Sequence, residues 1–510
     1  MQLGFVIDHS RCIGCHACTV ACKSENEVPL GSFRTWVKYT EKGSFPEVKR
    51  SFAVLRCNQC TEPPCVAICP VRALEKRSDG IVDIDPDLCI GCKSCLQGCP
   101  YDALYINENS GTAEKCNFCA HRIEVGLAPS CAVVCPTEAI IPGDVSDPGG
   151  VLGQLRQQHE LQVRKPEAGT EPNVFYREVE QAGIAPQETS GAAGYHWAER
   201  QGGSSLQAEL FESLEKRAEA RTVYDVDHAP AWGWKVSAYL FTKSISGGVW
   251  LVFLPFFLNW LSRGSVELWQ FSLMAASLGL IFLGLTTFLL VADLRRPSRF
   301  LYVIFKANWT SWLSRGALAL MGYGGLLTVV AGLGALNQSV PNLGVVLATA
   351  VAGALCAMYT AWLFGQAKGR VFWLRRGLAF HLLVQAVVAG AASCLLVASL
   401  LDWDSVLLGG LARVLQGALG VHLLLTLLEG QMAPRGREAE YVRVARLVSH
   451  GPFARRHWIL GVLVGGILPA LGLCFSFHPL MGVAAGLAAL IGLASEEDVL
   501  VRAGQALPIS

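Results

Sequence analysis

The chain has 510 residues, 52% of them hydrophobic and 16% charged, with a formal net charge of +1. That balance excludes the basic footprint of a nucleic-acid binder. The averages hide a break near residue 232, with polar, cysteine-rich sequence before it and sequence rich in Leu, Val, Ala, Gly and Phe after it.

Sixteen of the nineteen cysteines lie in the first 135 residues, as four quartets. They are Cys12, Cys15, Cys18, Cys22; Cys57, Cys60, Cys65, Cys69; Cys89, Cys92, Cys95, Cys99; and Cys116, Cys119, Cys131, Cys135. The third quartet follows C-x2-C-x2-C-x3-C-P, the run that holds cubane iron–sulphur clusters. The second and fourth lengthen one gap and keep the closing proline at Pro70 and Pro136. Three cysteines on one tight loop reach three irons of one cube, and the fourth points away to a second cube. Zinc sites use two short pairs and need no closing Cys-Pro, and a disulphide scaffold belongs to a small secreted chain. Sixteen thiolates at four per cluster give an expectation of four [4Fe–4S] clusters. Cys356, Cys394 and Cys474 stand singly in apolar stretches and read as small buried hydrophobes.

A connector follows over roughly 142–231. Its first part holds Pro142-Gly143, Pro148-Gly149-Gly150 and Lys165-Pro166, turn formers suited to an extended strap over the cluster domain. Residues 181–205 read as a flexible tether, and Leu206 to Arg221 as a short amphipathic helix. The expected division is 1–180 for the cluster domain, 181–231 for the linker and 232–510 for the membrane domain.

The second half predicts about eight membrane-spanning helices, since each needs roughly 20 apolar residues. The spans fall at 236–258, 268–292, 316–336, 343–364, 377–400, 405–428, 457–476 and 479–495, with the division at His478-Pro479 the weakest. Loops after spans two, four and six are basic, with Arg295, Arg296, Arg299, Lys368, Arg370, Arg375, Arg435 and Arg437 among their residues. The positive-inside rule therefore places them, both termini and the cluster domain in the cytoplasm. The same arginines face the cluster domain, so docking is a second reason for their charge.

These stretches resemble two known families. Residues 1 to about 180 resemble the four-cluster electron-transfer subunits of molybdopterin oxidoreductases, which include polysulphide, thiosulphate, dimethyl sulphoxide and nitrite reductases. From about 224 onward the chain is similar to the polysulphide-reductase, NrfD-like membrane anchors. The carrying residues there are Trp232-Gly233-Trp234-Lys235, Asp293-Leu294-Arg295-Arg296-Pro297-Ser298-Arg299-Phe300 and Trp309-Thr310-Ser311-Trp312. The resemblance implies an α+β ferredoxin-like double domain fused to an all-α bundle of transmembrane helices. It also implies crossed ligand sets: Cys12, Cys15, Cys18 with Cys135; Cys116, Cys119, Cys131 with Cys22; Cys57, Cys60, Cys65 with Cys99; and Cys89, Cys92, Cys95 with Cys69. Cys22 is followed by Lys23, a departure from the Cys-Pro pattern.

No nucleotide-binding or hydrolytic motif is present, so chemistry on a terminal substrate belongs to another subunit. The resemblance implies a separate catalytic chain with a molybdenum or tungsten pterin cofactor. At the membrane end it implies a quinone or quinol, menaquinone or ubiquinone, in a bacterial or archaeal inner membrane. Candidate quinone residues are Lys243, about 12 Å inside span one at 1.5 Å per residue, with Asp293, Tyr359 and His381; Glu429 sits near the same face. Ionisable groups at such depth default to function, although Lys243 pairing with Asp293 is the structural alternative. Arg413 and His422 are candidates for a buried proton path. Trp232, Trp234, Trp309 and Trp312 read as an interfacial belt. A second reading makes the chain part of a quinol-oxidising complex of the alternative complex III type, with proton translocation as an added expectation of that reading.

Overall fold

The Cys-Pro pairs organise the first half locally. A residue before proline is pushed out of the helical region, and Cys69 and Cys99 are extended, with ψ of 120° and 121°. Each ends a five-residue helix, Pro64–Ile68 and Ser94–Gly98, and the two helices pack on each other. Each is followed by a small hairpin, Leu74–Lys76 with Val82–Ile84 and Leu104–Ile106 with Ala113–Lys115. The repeat gives two ferredoxin-like halves, and the extended cysteine turns its thiol away from its own loop.

In this computed structural model residues 1–44, 46–186, 189–190, 220–263, 268–337, 339–475 and 479–510 are described. Leu3–Asp8 is the centre of a three-stranded sheet, antiparallel to Ile140–Asp144 and parallel to Val174–Arg177. The strap beyond residue 142 is thus a working part of the cluster domain. A second sheet pairs Thr35–Ser44 with Glu47–Arg56 and continues through Ala220–Tyr224 to Thr189–Ser190. Both ends of the expected 181–231 linker are therefore tied to the cluster domain. The amphipathic helix expected at 206–221 lies outside the described residues as far as 219, and beyond it the chain is strand.

Among the described residues, eight helices in the second half are long and apolar enough to cross a membrane: Trp234–Asn259, Leu268–Asp293, Trp312–Leu336, Leu343–Gln366, Leu378–Leu400, Ser405–Gln431, Arg456–Cys474 and Pro479–Gly504. They are numbered one to eight below. Span eight overruns its expected end at 495 by nine residues and carries Glu496, Glu497 and Asp498 with it. Three consecutive carboxylates stop an apolar run in sequence, but no residue there breaks a helix. Much of span seven, Arg456–Ile467, is π-helical, and its Gly465 lies so close to Gly492 that a Cβ on either would collide.

The two halves share one hydrophobic core. It runs from Cys57, Ile68, Cys95 and Tyr101 to Trp232, Phe364, Trp373, Tyr441 and Leu507. Separate cores fill the distal part of the cluster domain and the interior of the bundle. The basic loops close the junction. Arg296 donates to the Ser110 carbonyl at 2.7 Å, Arg299 to those of Pro86 and Cys89, and Arg370 to Gln97 Oε1 at 2.9 Å. These arginines are docking groups, so they do not report sidedness on their own. Asn308, Ser311 and Ser314 donate to the carbonyls of Cys69, Ile68 and Pro70.

Candidate functional site

The thiols stand in four groups joined in a row. Cys69, Cys89, Cys92 and Cys95 line one cavity, and Cys22, Cys116, Cys119 and Cys131 another. Burial pushes Cys92 up to about 12, with Cys69 and Cys89 adding to it. Cys60 and Cys65 are raised by burial and then by the neighbouring thiols of Cys57 and Cys99. Cys12 is raised by burial and by Cys135 and Cys15, against a backbone hydrogen bond from Gly14. Contacts between groups set their order. Cys65 lies near Cys95, Cys57 near Cys116, and Cys18 near Cys131. The row therefore starts at Cys92, whose carbonyl faces Trp232 Nε1 at 3.4 Å, and ends at exposed Cys15.

The surroundings fit an inorganic core better than free thiols. Thiols so deeply buried gain by giving up their protons to metal. Backbone N–H groups of Ala113 and Ala139 point at Cys89 and Cys135 sulphur, 3.4 and 3.2 Å away. Arg56 is fully buried with one Nη 3.2 Å from Cys131 Sγ, while its Nε and second Nη have no partner among the described residues. A buried cation with unused donors suits the negative charge of a sulphide-bearing cluster. Among the described residues no three His, Cys, Asp or Glu side chains close on a single ion.

The candidate quinone residues are not gathered in one place. Lys243 donates to the Ala357 carbonyl and Thr360 Oγ1, with its Nζ 4.9 Å from the centroid of the Tyr359 ring. Asp293 is absent from that group: it pairs with Lys93 of the cluster domain at 2.9 Å, so the alternative Lys243–Asp293 pair does not form. His381 sits apart from both, bonded to Arg375 and His422. Arg413 is exposed and donates to the Gly409 carbonyl of its own helix. Trp234 and Trp309 are exposed as a belt would be, whereas Trp232 is buried at the junction and its ring lies 5.3 Å from that of Trp373.

A cavity of about 470 Å³ opens beside Trp373. Trp362, Lys368, Arg375, Leu378 and Arg435 help line it, with Glu167 and Ala168 from the cluster domain. Its volume suits a small organic ligand, and its wall continues into the loop whose Gly369 abuts the Cys99 carbonyl. Sequence reasoning missed Arg375 as a lining group and missed Glu496 and Glu497 as buried acids. The signal for the acids was present: three carboxylates directly extending a transmembrane run without a breaker.

Residues 48–145 match the family described as 4Fe-4S dicluster domain, and residues 225–508 match polysulphide reductase, NrfD. Curated relatives include a subunit of the tetrathionate reductase of Salmonella typhimurium, 45% identical over 189 residues, which is 36% of this chain and 76% of that protein. A component of the polysulfide reductase of Wolinella succinogenes is 39% identical over 188 residues, 36% of this chain and 97% of that protein. Protein NrfC of Escherichia coli is 39% identical over 189 residues, 36% of this chain and 85% of that protein.

Proposed function

The chain belongs to the polysulphide-reductase NrfD family, an iron–sulphur electron-transfer module fused to the family's membrane domain, and we propose that it relays electrons between a quinone pool and a separate molybdopterin catalytic subunit. The observation that carries this reading is the row of thiol groups, one end against the bundle beside the basic cavity and the other at the surface. Four [4Fe–4S] clusters would be held by Cys69, Cys89, Cys92, Cys95; by Cys57, Cys60, Cys65, Cys99; by Cys22, Cys116, Cys119, Cys131; and by Cys12, Cys15, Cys18, Cys135. When bound, such centres supply one-electron transfer.

The residues of this chain do the rest. Trp232, Phe364 and Trp373 fill the gap between Cys92 and the cavity, with Phe364 and Trp373 stacked and Trp232 tilted against both. The cavity supplies Lys368, Arg375 and Arg435 as cationic donors for a quinone oxygen and Trp362 as an aromatic wall for its ring. Lys243 and Tyr359 lie deeper in the bundle, as a polar group that shapes the interior of spans one and four. At the distal end Ile13, Val20, Leu30 and Val133 are exposed around the last thiol loops. An apolar patch there suits a catalytic partner, and relatives named as parts of reductases support one. The exposed basic residues of the same loops, such as Arg376, Arg446 and Arg455, favour a cytoplasmic position for the cluster domain in a bacterial or archaeal inner membrane.

Anaerobically prepared protein should contain about sixteen iron atoms per polypeptide, four per cluster. A quinol analogue should reduce those centres in the membrane fraction, and a quinone-site inhibitor should block it. Zinc in place of iron, or reduction indifferent to inhibitor, would overturn the reading.

A further inference from the structure

Below the basic cavity a line of buried polar side chains descends into the bundle. Arg375 lines the cavity yet is only 6% exposed. One of its Nη groups donates to Glu429, the other lies 3.2 Å from His381 Nδ1, and its Nε has no partner among the described residues. His381 Nε2 lies 3.3 Å from His422 Nδ1, and His422 Nε2 lies 2.7 Å from Glu496 Oε2. Next to Glu496, Glu497 accepts from Ser244 at 2.7 Å and keeps its other oxygen unpartnered among the described residues. Counted from the cluster-side α-helix ends at Leu378, Leu428 and Gly504, His381, His422 and Glu496 lie about 5, 9 and 12 Å deep at 1.5 Å per residue.

Donor chemistry fixes the protons in this line. A guanidinium only donates, so His381 Nδ1 must accept. Neutral His381 then carries its proton on Nε2 and donates to His422 Nδ1, and His422 donates from Nε2 to Glu496. Every bond points away from the cavity. An extra proton can enter His381 only at Nδ1, the atom that Arg375 covers. Among the described residues, Arg375 is thus the group that touches both the cavity and the head of the line.

Resting on the quinone reading above, we infer that Arg375 gates proton exchange between a quinol in the cavity and the His381–His422–Glu496 line. The unused donors of Arg375 turn to the quinol oxygen and uncover His381 Nδ1. Oxidation of one quinol to quinone releases two electrons and two protons. The electrons leave singly to the thiol-held centres; the protons leave through His381 and His422 toward the carboxyls of the adjacent residues Glu496 and Glu497. Quinone reduction runs the same steps backwards, with two electrons and two protons taken up.

The test uses the full chain in its complex, mixed anaerobically with decylubiquinol or menadiol, with cluster bleaching followed by stopped flow. Glu496→Gln should slow quinol-driven bleaching roughly a hundredfold, the scale of a lost proton-transfer group. Dithionite-reduced cluster EPR spectra should be unchanged, and Glu496→Asp should recover most of the rate. Arg375→Gln should slow the step and also raise the quinol concentration for half-maximal rate, a second effect that Glu496→Gln lacks. A Glu496→Gln rate equal to that of the unaltered chain, equal slowing by Gln and Asp, or an unchanged half-saturation in Arg375→Gln would each overturn the gate. If the unaltered chain itself is not reduced by either quinol, the quinone reading falls first and the gate with it.

Discussion

The cluster domain and the bundle both bury polar chemistry, but they assemble it over different lengths of chain. Cys89, Cys92 and Cys95 come from one loop, three residues apart. In the bundle, His381 meets His422 across 41 positions, Lys243 meets Thr360 across 117, and Ser244 meets Glu497 across 253. A loop can fix a ligand set by its own backbone geometry. A helical bundle fixes a polar site only by the rotation and depth of several packed helices. The first kind of site should fail one centre at a time; the second should fail when packing shifts.

The strongest way to break that contrast is Cys92→Ser. It should remove about one quarter of the iron, since one of the four proposed clusters would lose a thiolate, and abolish quinol-driven bleaching because that proposed centre would lie nearest the bundle. Iron analysis with EPR would show it, and undiminished iron would mean that the thiol groups do not act as separate sets. The junction comes next. A side chain at Gly369 would collide with the Cys99 carbonyl and crowd that of Gln97. Gly369→Val should cost about 3 kcal/mol of docking, with iron content kept and quinol-driven bleaching lost. Retained bleaching would show that the halves communicate without close contact.

Asp293→Asn tests a smaller contribution at the same junction. It leaves Lys93, whose side chain is 12% exposed, without its carboxylate, and should lower stability by about 1–2 kcal/mol, read as an earlier thermal loss of bleaching. The mildest effect concerns Lys165, which burial lowers to about 7 against the opposing pull of Glu440. Its folded value lies below its unfolded value, so the unfolded chain binds more protons above pH 7. Stability should therefore rise with pH from about 7 toward 10 and be level below 7, by at most about 1.4 kcal/mol per pH unit. Lys165→Met should flatten that slope in thermal unfolding at a series of pH values.

Much of this was legible in the residues. The Cys-Pro runs announced iron–sulphur chemistry because cluster ligation is a local act, and eight apolar stretches announced the eight described helices long enough to cross a membrane, because a helix in lipid must satisfy its own backbone. The resemblance of Trp232 to Lys235 and of Asp293 to Phe300 to the anchor family also held. Asp293 looked like a membrane acid and is held by Lys93 200 positions away in sequence; Arg296, Arg299 and Arg370 looked like sidedness markers and are docking groups. Glu496 and Glu497 looked like the end of a span and lie inside it.

The amino-acid order alone thus determined which centres the first half is built to hold and how many times the second half is long and apolar enough to cross a membrane. Tertiary structure alone decided which charged side chains are paired, which are buried and which share the wall of a cavity. Spacing along the chain governs a loop, but charge in a bundle is governed by which helix faces meet and by the cost of leaving a buried polar group without a partner.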